Sequence, residues 1–172
     1  MSVVSWGKPR CLAKKLGGSG TWFEVPTPVQ NTTTLTTTKG EKKEAKIEGG
    51  ENEDVKYERN TYACALTVRA TKGRKKPFPD VDGLVDGNYV FVLIPEDATN
   101  QGFAFYKSVV SLEDGFTAED GGTWAYTIDA LKDGDKPQIQ WGVISVTETG
   151  GAISKVEITP DGGTKTELGG AS

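Results

Sequence analysis

Histidine is absent from the 172 residues of this chain, cysteine occurs twice and methionine once. Without histidine the chain lacks the commonest general base, the commonest metal ligand and the side chain that titrates near neutral pH. Cys11 and Cys64 are too few for a disulfide scaffold or a thiolate zinc site. Both read as small core residues. No apolar run approaches the ~18 residues of a membrane span. Lys8, Arg10, Lys14 and Lys15 break up the first sixteen residues, so a secretory leader is not expected. Together these absences point to a soluble chain, cytoplasmic when made, that is not an enzyme and needs no cofactor or metal.

Turn and strand formers are what the chain has in quantity. Twenty-two glycines, eight prolines and many threonines favour strands over helices. The length suits one domain that can hide a core without staples. A net charge of −4 conceals a division: residues 1–79 hold fifteen Lys and Arg against eight Asp and Glu, a balance of +7, and residues 80–172 stand at −11, with five Lys against sixteen acids. Opposed patches would steer head-to-tail association of copies. The competing reading is that the halves interleave in space and the asymmetry dissolves.

Apolar and polar residues alternate along most of the chain, as in antiparallel strands with one buried face. Residues 55–71 read as the longest regular strand, with Tyr62, Cys64, Leu66, Val68 and Ala70 on one side. Residues 89–94 are continuously apolar and read as a central strand buried on both faces. Strands are also expected over 21–25, 103–112, 123–131, 138–147 and 152–159, with room for one turn of helix in 95–102 and a polar tail, mobile, after Asp161. The total is seven to nine strands, the spacing of a sandwich or barrel. The expected class is therefore all-β: an antiparallel β-sandwich or small barrel with at most one short helix. Residues 1–147 form its single domain, and 148–172 form a last strand and the tail.

Residues 30–54 do not fit this pattern. Their only large aliphatics are Leu35 and Ile47. Thr32, Thr34, Thr36 and Thr38 have strand propensity but little to bury. Lys39, Glu41, Lys42, Lys43, Glu44 and Lys46 precede the breaker Gly49-Gly50, and Glu51, Glu53 and Asp54 follow it. A long polar insertion in a compact domain is functional or disordered. A β-prone arm of this kind gains order by pairing with another chain. A second feature is the basic loop Lys72-Gly73-Arg74-Lys75-Lys76-Pro77. It has no interleaved aromatics for nucleic acid, and Arg74, Lys75 and Lys76 read as a charged docking loop for an acidic partner.

Other motifs have plainer readings. Gly17-Gly18-Ser19-Gly20 lacks both the phosphate-loop ending and the dinucleotide spacing, and reads as a hairpin turn. Asp80-Val81-Asp82-Gly83 resembles the start of a calcium loop but lacks its later ligands. A glycine turn is expected instead. Glu113-Asp114 and Glu119-Asp120 each precede glycine and read as turn carboxylates between strands, in preference to a glycosidase pair. Trp22, Trp124 and Trp141 suit a sugar platform, but Trp124 and Trp141 occupy alternating positions typical of core residues, and burial is expected.

Trp6-Gly7-Lys8-Pro9, Gly20-Thr21-Trp22 and Pro26-Thr27-Pro28 resemble the opening of phage tail-tube-like (major tail) proteins, as found in phages and prophages. The central block from Lys39 to Glu53 is similar too, as are Glu113-Asp114-Gly115-Phe116 and the segment from Gly122 to Leu131. The resemblance spans about residues 6–147. It implies a β-sandwich subunit, with copies forming rings that stack into a tube around a DNA-conducting lumen. It also implies an arm that reaches the neighbouring ring. The expected partners are then other copies, other tail proteins and DNA in non-specific passage, with no membrane. The expected locations are the bacterial host cytoplasm during assembly and then the virion tail. The alternatives are a monomeric β-sandwich module binding a sugar or protein, and an enzyme working through carboxylates.

Overall fold

A computed structural model describes residues 7–17 and 20–169. The described residues contain fourteen strands and no helix. In chain order these are β1 (Arg10–Lys15), β2 (Phe23–Val25), β3 (Thr34–Thr38), β4 (Lys42–Lys46), β5 (Asn52–Tyr57), β6 (Thr61–Arg69) and β7 (Asp80–Val81), then β8 (Leu84–Val85), β9 (Tyr89–Ile94), β10 (Gly102–Thr117), β11 (Gly121–Ala130), β12 (Gln140–Thr149), β13 (Ala152–Thr159) and β14 (Thr166–Glu167). All pairings are antiparallel. Twelve strands form one continuous sheet, folded on itself and not closed into a barrel, and β4 and β5 form a separate pair.

The long strand β10 organises the fold. Its first half pairs with β9 on one side and β12 on the other, and its second half pairs with β11. The change falls at Ser108, where a one-residue bulge separates the Phe105–Phe91 and Ser108–Tyr89 pairs. A bulge bends and twists its strand, and here it turns β10 from one layer into the next. Ser108 is fully buried, and its hydroxyl donates to the Tyr89 carbonyl at 2.8 Å. That bond satisfies a polar group whose unpaired burial would cost about 1–3 kcal/mol.

Two cores result. Between the layer β3-β6-β11-β10 and the layer β1-β9-β10 lie Cys64, Leu66, Val68, Tyr126 and Ile128, facing Phe91, Phe103 and Phe105. Behind β1 and β9, residues of β12 and β13 with Leu168 cover Leu12, Val90, Val92 and Ile94. Strand β9 is therefore covered on both faces, as its unbroken apolar run predicts. Alternation in β6 also buries the expected residues Cys64, Leu66 and Val68. Burial drives the Cys64 thiol up to about 12 and raises that of Cys11 as well, so both are inert fillers of the core.

Several expectations need correction. The strand expected over 55–71 is two elements, β5 and β6, separated at 58–60. Strand β10 runs on through Glu113 and Asp114, which are ladder residues opposite Ala125 and Trp124 and not turn carboxylates. The turn falls at 118–120, as expected for Glu119-Asp120. Residues 97–100 form a tight turn, with Asp97 accepting from the Thr99 amide at 3.0 Å. The division at 147/148 falls inside β12. The tail beyond Asp161 returns as β14 against β13, and Leu168 is fully buried. Asp82 and Gly83 both have positive φ (52° and 84°), the two-residue hairpin turn that joins β7 to β8. Trp6, and Gly18 and Ser19 of the segment expected to form a glycine turn, lie outside the described residues, as do the last three of the tail.

Candidate assembly surface

The arm region divides into two parts with different partners. Thr32 belongs to a latch: its hydroxyl donates to the Val29 carbonyl at 2.6 Å and accepts from the Thr67 amide at 3.3 Å. Residues 34–38 then pair along their whole length with β6, from Thr34 opposite Ala65 to Thr38 opposite Thr61. This stretch was expected to have no internal partner, and in fact one edge is satisfied by the body of the same chain. Thr67 directs both its amide and its carbonyl towards this side of β6. In an antiparallel ladder such residues alternate, so Ala65 and Ala63 bond Thr34 and Thr36. Leu35 and Thr37 then turn their backbone groups outward, to an edge that no other described strand occupies. Thr34, Thr36 and Thr38 stand exposed on the outer face.

Beyond Thr38 the ribbon leaves the body. Gly40 marks the departure: a Cβ there would lie 1.8 Å from the Glu58 carbonyl oxygen, so the two backbones approach as only glycine permits. The Gly40 amide donates to the Asn60 side chain at 3.0 Å, and the Glu58 amide to the Glu41 carbonyl at 2.9 Å. Among the described residues, strands β4 and β5 then pair only with each other, and every residue in both is exposed. An isolated two-stranded hairpin is marginal in water. This one has local props. Lys42 and Lys46 flank Glu44 at 2.6 and 3.7 Å, and Lys43 meets Glu58 at 2.8 Å. Lys39 sits 5.3 Å above the Tyr57 ring. Hydrogen bonding and attraction from Lys42 hold the Glu44 carboxyl below its ordinary range. Asp54 accepts from the Val55 amide, and Glu53 is the extra residue of a bulge. The Glu51 carbonyl accepts from the Ile47 amide to close the turn. Ile47, Val55 and Tyr57 are large apolar side chains left exposed on this hairpin.

The basic loop is less free than its composition suggests. Arg74 donates to the Arg69 carbonyl at 2.8 Å. Lys76 reaches Asp80 at 2.9 Å and Asp114 at 3.1 Å. Hydrogen bonds from Lys76 and the Gly83 amide hold the Asp80 carboxyl low. Lys75, with Lys72, is exposed and has no ion-pair partner among the described residues. The loop's anchor went unread in the sequence: Phe78 is fully buried, with ring centroids 5.2 Å from Phe23, 5.0 Å from Tyr89 and 5.2 Å from Tyr126. Its only signal was one aromatic between Pro77 and Pro79.

Ion pairs also join the two halves of the chain: Arg10 with Glu148, Lys15 with Asp86, and Arg69 with Asp120. The charge division therefore partly dissolves in space. Trp22 is buried as expected, but Trp141 is 46% exposed. It flanks Phe103 at the wall of a cleft of about 680 Å³, with Leu35, Leu93, Asn31 and Gln101 also lining it. No family model matches the chain, and no curated protein matches it.

Proposed function

We propose that this protein is a non-enzymatic structural subunit of a phage or phage-like tail tube, self-assembling into stacked rings around a lumen that conducts DNA. The observation that carries this reading is the β4–β5 hairpin. It leaves the body, pairs among the described residues only with itself, exposes every residue of both strands and bears three large apolar side chains exposed in part. Side chains of this kind gain from a covering surface, and the exposed ion pairs that prop the ribbon add little stability to its backbone ladder. The outward edge of β3 is a second surface suited to another chain. The residue pattern that resembles tail-tube proteins supports the same assignment. Acidic excess in residues 80–172 suits a lumen wall that repels DNA phosphates, so that a genome slides without sticking. In this reading the protein assembles in a bacterial host's cytoplasm with other tail proteins and ends in the virion tail.

Electron microscopy of the purified full chain at high concentration tests it. Rings or tubes are expected, and a preparation that stays monomeric overturns the proposal. One observation favours a second reading, a monomeric module binding a sugar or an extended peptide: Trp141 stands exposed in a cleft of ligand size. That reading expects a monomer whose tryptophan emission responds to a glycan or peptide panel and stops responding in Trp141→Ala.

A further inference from the structure

The arm and the basic loop leave opposite ends of the same strand. The hairpin departs before Thr61, the first residue of β6, and the loop begins just after Arg69, the last. Nine extended residues separate them, about 26 Å along the strand. Each end carries something uncovered. Beyond the hairpin's ion-paired segment, the turn holds Glu48 and Glu51, exposed and without ion-pair partners among the described residues. Val55 and Tyr57 share one face of β5, opposite Glu44 and Lys42.

At the far end, Lys72 and Lys75 stand free beside the end of the β10–β11 pair. There Phe116 is 79% exposed, opposite Gly122. Gly122 in turn lies against Ala70, where a Cβ would come 3.1 Å from the alanine methyl. Phe116 therefore has a low step of small residues beside it and stands largely open among the described residues. The same end carries acids. Asp114 and Asp120 pair with Lys76 and Arg69, whereas Glu113 and Glu119 have no ion-pair partner among the described residues. An acidic visitor is repelled from the 118–120 turn and drawn to the lysine side.

We infer that the hairpin arm of one copy docks on the far end of a second copy, its Val55–Tyr57 face covering Phe116 and its acidic turn meeting Lys72 and Lys75. This rests on the proposed self-assembly and names where the arm lands. The two surfaces are different and lie at opposite ends, so a docked copy still presents a free arm or a free platform. Such a contact repeats without blocking itself, which builds a row or a stack and not a closed pair.

Charge exchange tests this in the full chain, with assembly followed by sedimentation velocity. Lys72→Glu/Lys75→Glu alone, and Glu48→Lys/Glu51→Lys alone, each raise the concentration for half-assembly about tenfold or more, with an unchanged unfolding midpoint. Mixing the two variants restores assembly, because each supplies the partner the other needs. Phe116→Ser weakens assembly in both settings. Replacing residues 42–57 by an Asn-Gly turn abolishes it. If that deletion abolishes assembly while the lysine variants and Phe116→Ser behave as wild type, the arm docks elsewhere and this inference falls, leaving the tail-tube reading intact. If the mixture fails to recover, the inference also falls. Wild-type protein that never assembles overturns both.

Discussion

Leu168 lies in a stretch with no other large apolar residue, yet it is fully buried against the second core, with Trp22, Val90, Val156 and Ile158 in the same cluster. Its amide donates to the Val156 carbonyl at 2.8 Å, and Lys14 donates to the next carbonyl, that of Gly169, at 2.6 Å. Leu168→Ala removes three carbon centres. At about 0.8 kcal/mol each, the transfer loss is roughly 2.4 kcal/mol. A residual cavity adds to it, but the tail is tied only by a two-residue ladder and these two hydrogen bonds and relaxes inward, so about 3 kcal/mol is expected and not the upper end of the Leu→Ala range. For a chain of this length that lowers Tm by about 6–12 °C. Urea denaturation followed by tryptophan emission reads the change directly, because Trp22 borders Gly169. Truncation after Gly163 should cost more and shift native emission to the red as Trp22 meets water. A Leu168→Ala unfolding free energy within about 0.5 kcal/mol of wild type, with native emission unchanged after truncation, would refute the packed tail.

Phe78→Ala should cost about 3–5 kcal/mol and raise protease cleavage within residues 70–77, since the ring anchors that loop. Gly40→Ala should perturb amide exchange in residues 39–60 while leaving the β9 amides as slow as before, because the clash is with Glu58 at the base of the arm. The Asp80 carboxyl is held low by Lys76, so its contribution is full at neutral pH. It is lost as pH falls from about 4 through the lowered native value. Acid titration of Lys76→Met should show a flatter loss over that window. Burial pushes the Tyr126 phenol up to about 12, so the stability tied to its neutral form holds below pH ~10 and is lost as pH rises through 12. Tyr126→Phe should flatten the alkaline arm of the stability profile.

Where burial is one-sided or complete, the sequence is easily read. The unbroken run in β9 and the alternation in β6 report their surroundings because β9 is buried on both faces and β6 alternates buried with half-buried side chains. Asp82-Gly83 marks a hairpin because only such residues accept two successive positive φ values. Strands β4 and β5 leave no such trace. All their side chains meet water, so no period distinguishes them from loop, and only the backbone ladder makes them strands. Glu113 and Asp114 look like turn residues because β10 outruns its core there, and polar residues cost a projecting strand nothing. Phe78 and Leu168 escape for the opposite reason: each is a single buried side chain in an irregular or short element, where periodicity has nothing to repeat. Of the candidate surface, the charged composition of both parts was visible beforehand. The Phe116 platform and the arm's course were not, since they depend on where β6, β10 and β11 end relative to one another.

Strand β10 has one further consequence, for how the molecule comes apart. Because its two halves serve different layers and meet at the buried Ser108, there is no seam along which one layer can peel away while the other survives. Pulling on either end strains a single continuous backbone that both cores clamp. A body of this kind should yield in one abrupt step, while the projecting hairpin frays and re-forms on its own, much faster clock.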